Sequence, residues 1–463
     1  MATVALATGD SQYKTTFKAV EMLGGMDKFV KKGDKVFIKP NLMLFTGPPT
    51  TTSPIVLGAL VKMCKKAGAK EIAVGDISIV GTSSKAQMEF SGIKDYVSRL
   101  GDEKCKVTPF FIEDKLTDEQ ELAQYFKLVK NPKAKELPEL YVPKVLMEAD
   151  VFIDVPVAKT HDYTDVTLGL KNMHGMFHNS QKRASHGPEK SFSQKIIDML
   201  TIDDAYPNLV VTDAWYAGEG EGPYFMTFRP LRLIAASEDV VANDAIVSYI
   251  MGFDPMKINM IRMAHEQGLG TADMKNIKVT GEDPEKYRIP DLKHPNLDYN
   301  YTYSPKIKAF IGHVYGDEGR HGCVMALRYI QMGALWFFPS MELALLVGKN
   351  PPDPGDIRTP DGRPMPIVVW GKCACETTKD YPFRKRGTGV AGGWAEINEC
   401  PVLRLAMGEE FQGVALDKKG SSKRIVRRFL KPDILSILEF LQGNPSYLMG
   451  IIKPILTAEA EDL

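Results

Sequence analysis

Short apolar runs and amphipathic runs alternate along most of the chain. Lys35 to Ile38 reads as a buried strand closing on Lys39-Pro40-Asn41, since a brief apolar run bounded by turn residues suits a strand covered on both faces. From Pro54 to Ala67, the residues Val56, Leu57, Leu60 and Val61 recur at helical spacing, and Lys62, Lys65 and Lys66 fall on the other side. Proline suits the first helical turn and Gly68 the end. Glu71 to Val74 is the next strand, ending at Gly75-Asp76. Strand, loop, helix and strand in that order predict a parallel pair. Further strands are expected at Val151–Val155, Leu209–Asp213 and Leu231–Ala235, and a helix at Asp239–Met251. The first residues read as strand, turn and helix. Asp102 to Leu140 is charged and weakly periodic, which predicts surface loops and a helix.

Together these runs predict a three-layer α/β domain with a mainly parallel sheet over residues 1–300. Residues 282–306, rich in Pro, Lys, Asp and Tyr, read as its boundary or as a long wrapping segment. A smaller α/β or α+β domain is expected over 301–463. It holds an apolar helical stretch (Met325–Val347), a Pro/Gly/Asp loop, and a strand (Ile367–Trp370) running into Gly371-Lys-Cys-Ala-Cys375. Its last segment, Arg424–Leu456, reads as amphipathic helices with Arg424, Arg427, Arg428 and Lys431 near the start. Those helices are expected to pack on their own domain. They are also the surface through which a homo-oligomer or a complex partner would be met.

Charge narrows the function classes. Lys plus Arg and Asp plus Glu number 58 each, so the chain has no net charge. Without a long-range field, a general nucleic-acid binder or polybasic membrane protein is not expected. Six cysteines in 463 residues do not make a disulfide scaffold. The N-terminal stretch lacks the basic and apolar regions of a leader, and Tyr329–Val347 is too interrupted by Gln331, Pro339 and Glu342 for a membrane span. A cytoplasmic location is the expectation.

Candidate chemistry gathers where strands end, because loops there line the ligand crevice of a parallel sheet. Lys39 and Asn41 follow one strand, Asp76 another, Lys159, Thr160 and His161 a third, and Asp213 through Glu221 a fourth. The stretch from Lys159 to His186 carries four of the eight histidines (His161, His174, His178, His186) with Lys159, Lys171 and Lys182. A lysine in a cleft holds an anion or, deprotonated, acts as base or nucleophile. Histidine transfers protons near neutral pH. His174 and His178 are four apart, but Gly175 intervenes and no metal-protease glutamate follows, so they read as surface histidines. Asp213 to Pro223 is glycine-rich: it reads either as a ligand-approaching loop with Glu219 or Glu221 as an acidic partner, or as a mobile acidic loop. Cys373, Cys375 and Cys400 are candidate ligands of zinc or an iron–sulfur cluster, although no C-x-x-C pair is present.

Five strings resemble the domain-of-unknown-function 362 family in order over about residues 4–281: GGMDKFVKKGDKVFIKPNL, TTTSPIVLGALVKMCKKAGAKEIAVGD, ADVFIDVPVAKTHDYTDVTLGLKN, TDAWYAGEGEGP and VANDAIVSYIMGFDP. Many relatives carry a ferredoxin-type cysteine run, which this chain lacks. GKCACE and ECPV are similar to a cysteine pair found after some of these domains, with Glu399 and Val402 departing from it. A more remote likeness joins the nickel-dependent lactate racemase family: His161 precedes Lys171 by ten residues, His186 follows by fifteen, and Thr52-Ser53-Pro54 starts a helix. The likeness implies an acid/base role for His161, a cofactor or substrate anchor in Lys171 and a metal ligand in His186. By extension Thr52, Ser53 and Asn172 join Lys39, Asn41, Asp76, Asp213, Glu219 and Glu221 as cofactor-binding candidates. The resulting expectation is an isomerase- or oxidoreductase-type enzyme using a metal ion (Ni, Fe or Zn) or a nucleotide-like cofactor on a small anionic substrate. The alternative is an electron-transfer subunit carrying an iron–sulfur cluster on Cys373, Cys375 and Cys400.

Overall fold

A computed structural model describes residues 1–43, 47–77, 83–113, 116–185, 191–202, 205–222, 225–295, 306–312, 342–385 and 394–397. These fall into two units. The first comprises 1–182 with 192–295, and the second takes the remaining described residues, mainly from 306 onward.

The first unit is built on a ten-stranded mixed sheet. Its strands are β1 (Ala2–Thr8), β2 (Lys35–Pro40), β3 (Glu71–Gly75), β4 (Lys106–Phe110), β7 (Val151–Val155), β8 (Val157–His161), β9 (Asp165–Val166), β10 (Leu209–Glu221), β11 (Phe225–Ser237) and β12 (Ile277–Gly281). β5 (Phe126–Lys130) and β6 (Glu139–Pro143) form a separate antiparallel hairpin. The main path runs β12-β1-β11-β10-β7-β2-β3-β4, and β11 alone runs against its neighbours. Successive side chains on a strand point to opposite faces, and two apolar layers result. Phe37, Phe152 and Val210 face one layer, with the helices Phe192–Leu200, Val240–Ile250 and Asn259–Glu266. Val36, Ile38, Ile153 and Val211 face the other, with the helices Gln12–Glu21 and Pro54–Ala67. This is the three-layer, mostly parallel α/β fold expected from the run pattern.

Local chemistry fixes the element ends. The helix Pro54–Ala67 starts with proline after Ser53, whose hydroxyl accepts the Ile55 N–H at 3.2 Å. It stops at Gly68, where φ is 101°, a conformation costly for any residue with a Cβ. Asp239 caps Val240–Ile250 by accepting the Ala242 N–H at 2.9 Å.

Three segments depart from the sequence reading. Within 102–140, Lys106–Phe110 is an edge strand of the main sheet and Phe126–Pro143 supplies a hairpin. Pro109 disguised the first of these, because proline is tolerated on a sheet edge, where a missing donor costs little. The glycine-rich segment after Asp213 is strand rather than loop: β10 runs on to Glu221 in antiparallel register with β11. Leu343–Val347, read as the end of a helix, is a strand. An apolar run this short has no periodicity to tell helix from strand.

The second unit carries a parallel sheet in the order β13 (Ile307–Ile311), β14 (Leu343–Val347), β15 (Ile367–Trp370) and β16 (Trp394–Ile397). Its apolar layer includes Leu346, Ile367, Val369, Ala374 and Phe383. Among the described residues no helix is long and apolar enough to cross a membrane. The proposed partner-binding helices at 424–456 lie outside the described residues.

Candidate functional site

The C-terminal ends of β2, β3 and β7 meet at the centre of the parallel part of the sheet, and each delivers a buried charge. Lys39 and Asp154 are register partners on β2 and β7, and Asp76 follows β3 directly. All three are almost wholly buried. Lys39 Nζ lies 3.0 Å from Asp76 Oδ1 and donates to the Pro40 carbonyl at 3.1 Å. Asp76 also accepts the Ile77 N–H at 2.8 Å and the Leu42 N–H at 3.3 Å. These bonds give a buried carboxylate partners in place of water.

A second set of bonds threads this end of the sheet. Lys159, on β8, donates to Asn41 Oδ1 and to the Thr50 carbonyl, both at 2.6 Å. Asn41 Nδ2 donates to Asn172 Oδ1 at 2.9 Å, and Asn172 Nδ2 to Asp154 Oδ1 at 2.7 Å. An ammonium at one end and a carboxyl at the other dictate which way both amides face. Thr52 clamps Asn41 twice: its Oγ1 accepts the Asn41 N–H at 2.8 Å, and its own N–H donates to the Asn41 carbonyl at 3.0 Å. The Thr52 hydroxyl proton goes to the Val155 carbonyl at 2.7 Å.

The segment that covers these residues is short helical turns, Gly169–Asn172 and Met173–Met176. Asp244, buried on the Val240–Ile250 helix, anchors it by accepting the N–H groups of Gly169 and Leu170, both at 2.8 Å. Gly175 passes so close that a Cβ there would sit 2.5 Å from Asp76 Oδ1 and 2.8 Å from Lys39 Nζ. Only glycine lets the backbone rest on that ion pair.

Electrostatics in this crowd run against full ionisation. Burial pushes the Asp154 carboxyl up to about 7, against the pull of Lys39. Its Oδ2 is buried with no hydrogen-bond partner among the described residues. Burial draws the Lys159 ammonium down to about 7, with Lys171 adding to the effect. Lys182, whose Nζ donates to the Ile77 carbonyl at 2.8 Å, is likewise drawn to about 7 by burial. Lys171 retains some surface, yet desolvation brings it to about 8 although Asp162 works the other way. Among the described residues, the carboxylates Asp76, Asp154 and Asp162 lie around these lysines, and Glu121 acts on Lys182. Glu121 Oε2 lies 3.3 Å from His178 Nε2.

The fold therefore brings Lys39, Asn41, Thr52, Asp76, Lys159, Lys171 and Asn172 into one neighbourhood. His161 ends β8 two residues beyond Lys159. Its Nδ1 lies 3.0 Å from the Tyr163 N–H and 3.2 Å from Asp162 Oδ1. Ser53 and Asp213 form a latch instead: Asp213 accepts the Ser53 N–H at 3.1 Å and Gln12 Nε2 at 2.9 Å. Glu219 is occupied by Arg229 Nε and the Lys293 N–H, both at 3.0 Å. The Glu221 side chain, His186 and Cys400 lie outside the described residues. Cys373 is exposed while Cys375, on the same short helix, is buried with Sγ 3.8 Å from the Val369 carbonyl. No group of three or more His, Cys, Asp or Glu among the described residues suits a metal ion.

His174 and His178 are not surface residues. The helix breaks at Phe177, and both rings are buried, His174 against Phe177 and Phe192, and His178 against Phe126. The glycines after Asp213 serve packing: a Cβ on Gly218 would lie 2.8 Å from Lys159 Cβ, and one on Gly222 would lie 1.9 Å from the Thr160 carbonyl. They let β8 approach. Sequence reasoning passed over Asp154, Asp244 and Gly175. The available signal for Asp154 was a single acid inside the otherwise apolar strand Val151-Phe-Ile-Asp-Val155.

The fold and site define a three-layer, mostly parallel α/β protein with a buried lysine-rich cluster at its central strand ends. Residues 36–249 match the model of a family described as "Domain of unknown function (DUF362)". The thylakoid-associated protein of Synechocystis sp. is 31% identical over 255 residues, which span 54% of this chain and 73% of that protein. The chain belongs to this domain-of-unknown-function 362 family. Among solved structures, the lactate racemase apoprotein of Thermoanaerobacterium thermosaccharolyticum matches with a TM-score of 0.36 and 10% identity, covering 92% of this chain and 81% of that one. A likeness so distant does not bear on chemistry.

Proposed function

We propose that the strand-end cluster is an enzyme active site that binds a small organic anion and moves a proton on it, in an isomerisation or redox reaction. One observation carries this: several lysines converge on one set of strand ends, and burial holds Lys159 and Lys182 at about 7 and Lys171 at about 8. An ammonium in a desolvated place is relieved either by losing its proton or by receiving an anion. Titration near neutrality also suits proton transfer, because the efficient acid or base has a pKa near the working pH.

In this reading Lys159 and Lys171 hold the anionic group, and His161 exchanges the proton. Asn41, Thr52 and Asn172 keep Lys159 and Asp154 in place. A cytoplasmic location belongs to the same proposal, and thylakoid association is a property in the relative's name.

Isothermal calorimetry of the full chain with glycolate, in buffers of different ionisation enthalpy, tests the site. Binding with net proton uptake is expected between pH 7 and pH 9, since an anion restores the lysine charges. Affinity should fall as pH rises through that range. The absence of binding, or binding without proton uptake, would overturn the proposal.

A further inference from the structure

The lysines of the cluster are not equivalent. Lys39 donates to Pro40 O beside Asp76, Lys159 to two oxygens, and Lys182 to the Ile77 carbonyl. Lys171 makes no hydrogen bond or ion pair among the described residues; its Nζ lies over the Phe192 ring, 5.5 Å from the centroid. It is also the lysine that retains accessible surface, as its intermediate burial shows. Its backbone is held from below by Asp244 through Gly169 and Leu170. The cluster thus contains an amine with no structural duty, on a fixed support, against an aromatic wall and beside other cations.

We propose that Lys171 is a nucleophile that forms a Schiff base with the carbonyl carbon of a small oxo acid. This rests on the anion-binding reading of the same site and adds a substrate class to it: a carboxylate carrying an aldehyde or ketone. The neutral Lys171 amine attacks the carbonyl carbon, the C–N bond forms, and the π pair moves to oxygen. A proton passes from nitrogen to that oxygen, giving the carbinolamine. Lys159, whose charge acts on the same neighbourhood, supplies one proton to the hydroxyl, which leaves as water. The products are a protonated imine, water and neutral Lys159, so charge and atoms balance without an oxidant or reductant. The imine withdraws electrons from the adjacent carbon, and loss of a proton there becomes easier. Desolvation, aided by Lys39 and opposed by Asp162 and Asp76, brings Lys171 to about 8, so a fraction of the amine is neutral near working pH, the condition that activates such lysines.

The full chain incubated with glyoxylate and cyanoborohydride should gain one reduced adduct, which peptide mapping places on Lys171. Labelling should be about ten-fold faster than total labelling of Lys171→Arg, a variant that keeps the cation but has no primary amine there. An unchanged melting curve for that variant verifies its fold. Adducts spread over surface lysines, or equal rates in both proteins, would overturn the Schiff base. Glycolate has the same charge and no carbonyl. If glycolate binds and glyoxylate leaves no adduct on Lys171, the covalent step fails and the anion site stands; if neither binds, both fail.

Discussion

Two strand-to-loop junctions in this protein look alike in sequence and behave differently in structure. In the first unit, β2, β3 and β7 end at Lys39, Asp76 and Asp154, buried groups of which the first two bind each other and backbone and the third the Asn172 amide. In the second unit, β15 ends at Gly371 and the Lys372–Thr377 helix, where Cys375 packs among apolar residues and Cys373 faces solvent. Reactive residue types after a strand are common to both. The first junction also has convergence: several strands deliver charge to one buried place, and side-chain amides and backbone groups hold it there. Burial without such partners would be prohibitively costly for charges, while a thiol is simply a small apolar group.

The comparison is broken most directly at Lys39. Lys39→Met leaves Asp76 buried without its ammonium, and removal of one partner of a buried pair costs about 3–5 kcal/mol. Chemical denaturation of the full chain should show that loss, and Lys39→Met with Asp76→Asn should recover part of it. A loss below about 1 kcal/mol would mean that the pair behaves as a surface one. Next in size is Asp244→Ala, which strands the N–H groups of Gly169 and Leu170 in a dry place. About 1–3 kcal/mol is expected for each unsatisfied donor. The same variant should weaken glycolate binding, because Lys171 and Asn172 lose their support.

The pH dependence of stability sharpens the contrast. Asp154 titrates at about 7 in the fold against 3.8 for its ordinary value. The folded state then binds more protons, and this group costs stability as pH rises from about 4 to 7. Lys159 titrates at about 7 against 10.5. The unfolded state binds more protons there, so stability falls as pH drops from about 10 to 7. The two contributions leave the ligand-free cluster least stable near neutrality. Melting temperatures from pH 4 to 10 should show the acid limb flattened in Asp154→Asn and the alkaline limb flattened in Lys159→Met. Unaltered limbs would remove the basis for neutral-pH proton transfer. The smallest effects belong to the second unit: about 1 kcal/mol for Cys375→Ala and within about 0.5 kcal/mol for Cys373→Ser. A larger loss for Cys373→Ser, with metal lost on purification, would favour the cluster-carrying alternative.

Much of the frame was legible. The helix Pro54–Ala67 and the strand Val151–Val155 were read to the residue, because proline, glycine and apolar runs punctuate them sharply. Lys39, Asn41, Asp76 and Lys159 were legible as polar residues at strand ends. Asp154 was not, because inside a strand it follows no motif, and its importance arises from the amides and lysines that converge on it. His174 and His178 were misread for the same reason, since spacing along a helix says nothing about a helix that breaks at Phe177. Gly218 and Gly222 signalled close approach, but whether of a ligand or of β8 depended on which strand the fold laid beside them.

Sequence alone determined the layered α/β class, the parallel order of its central strands and the family, since each follows from local periodicity, turn chemistry and motif order. Tertiary structure decided which charges share one buried place, which lysines are bonded and which is left with its amine unengaged. Ionisation and reactivity depend on neighbours within a few ångströms, and those neighbours come from strands as far apart in sequence as Lys39 and Asp154.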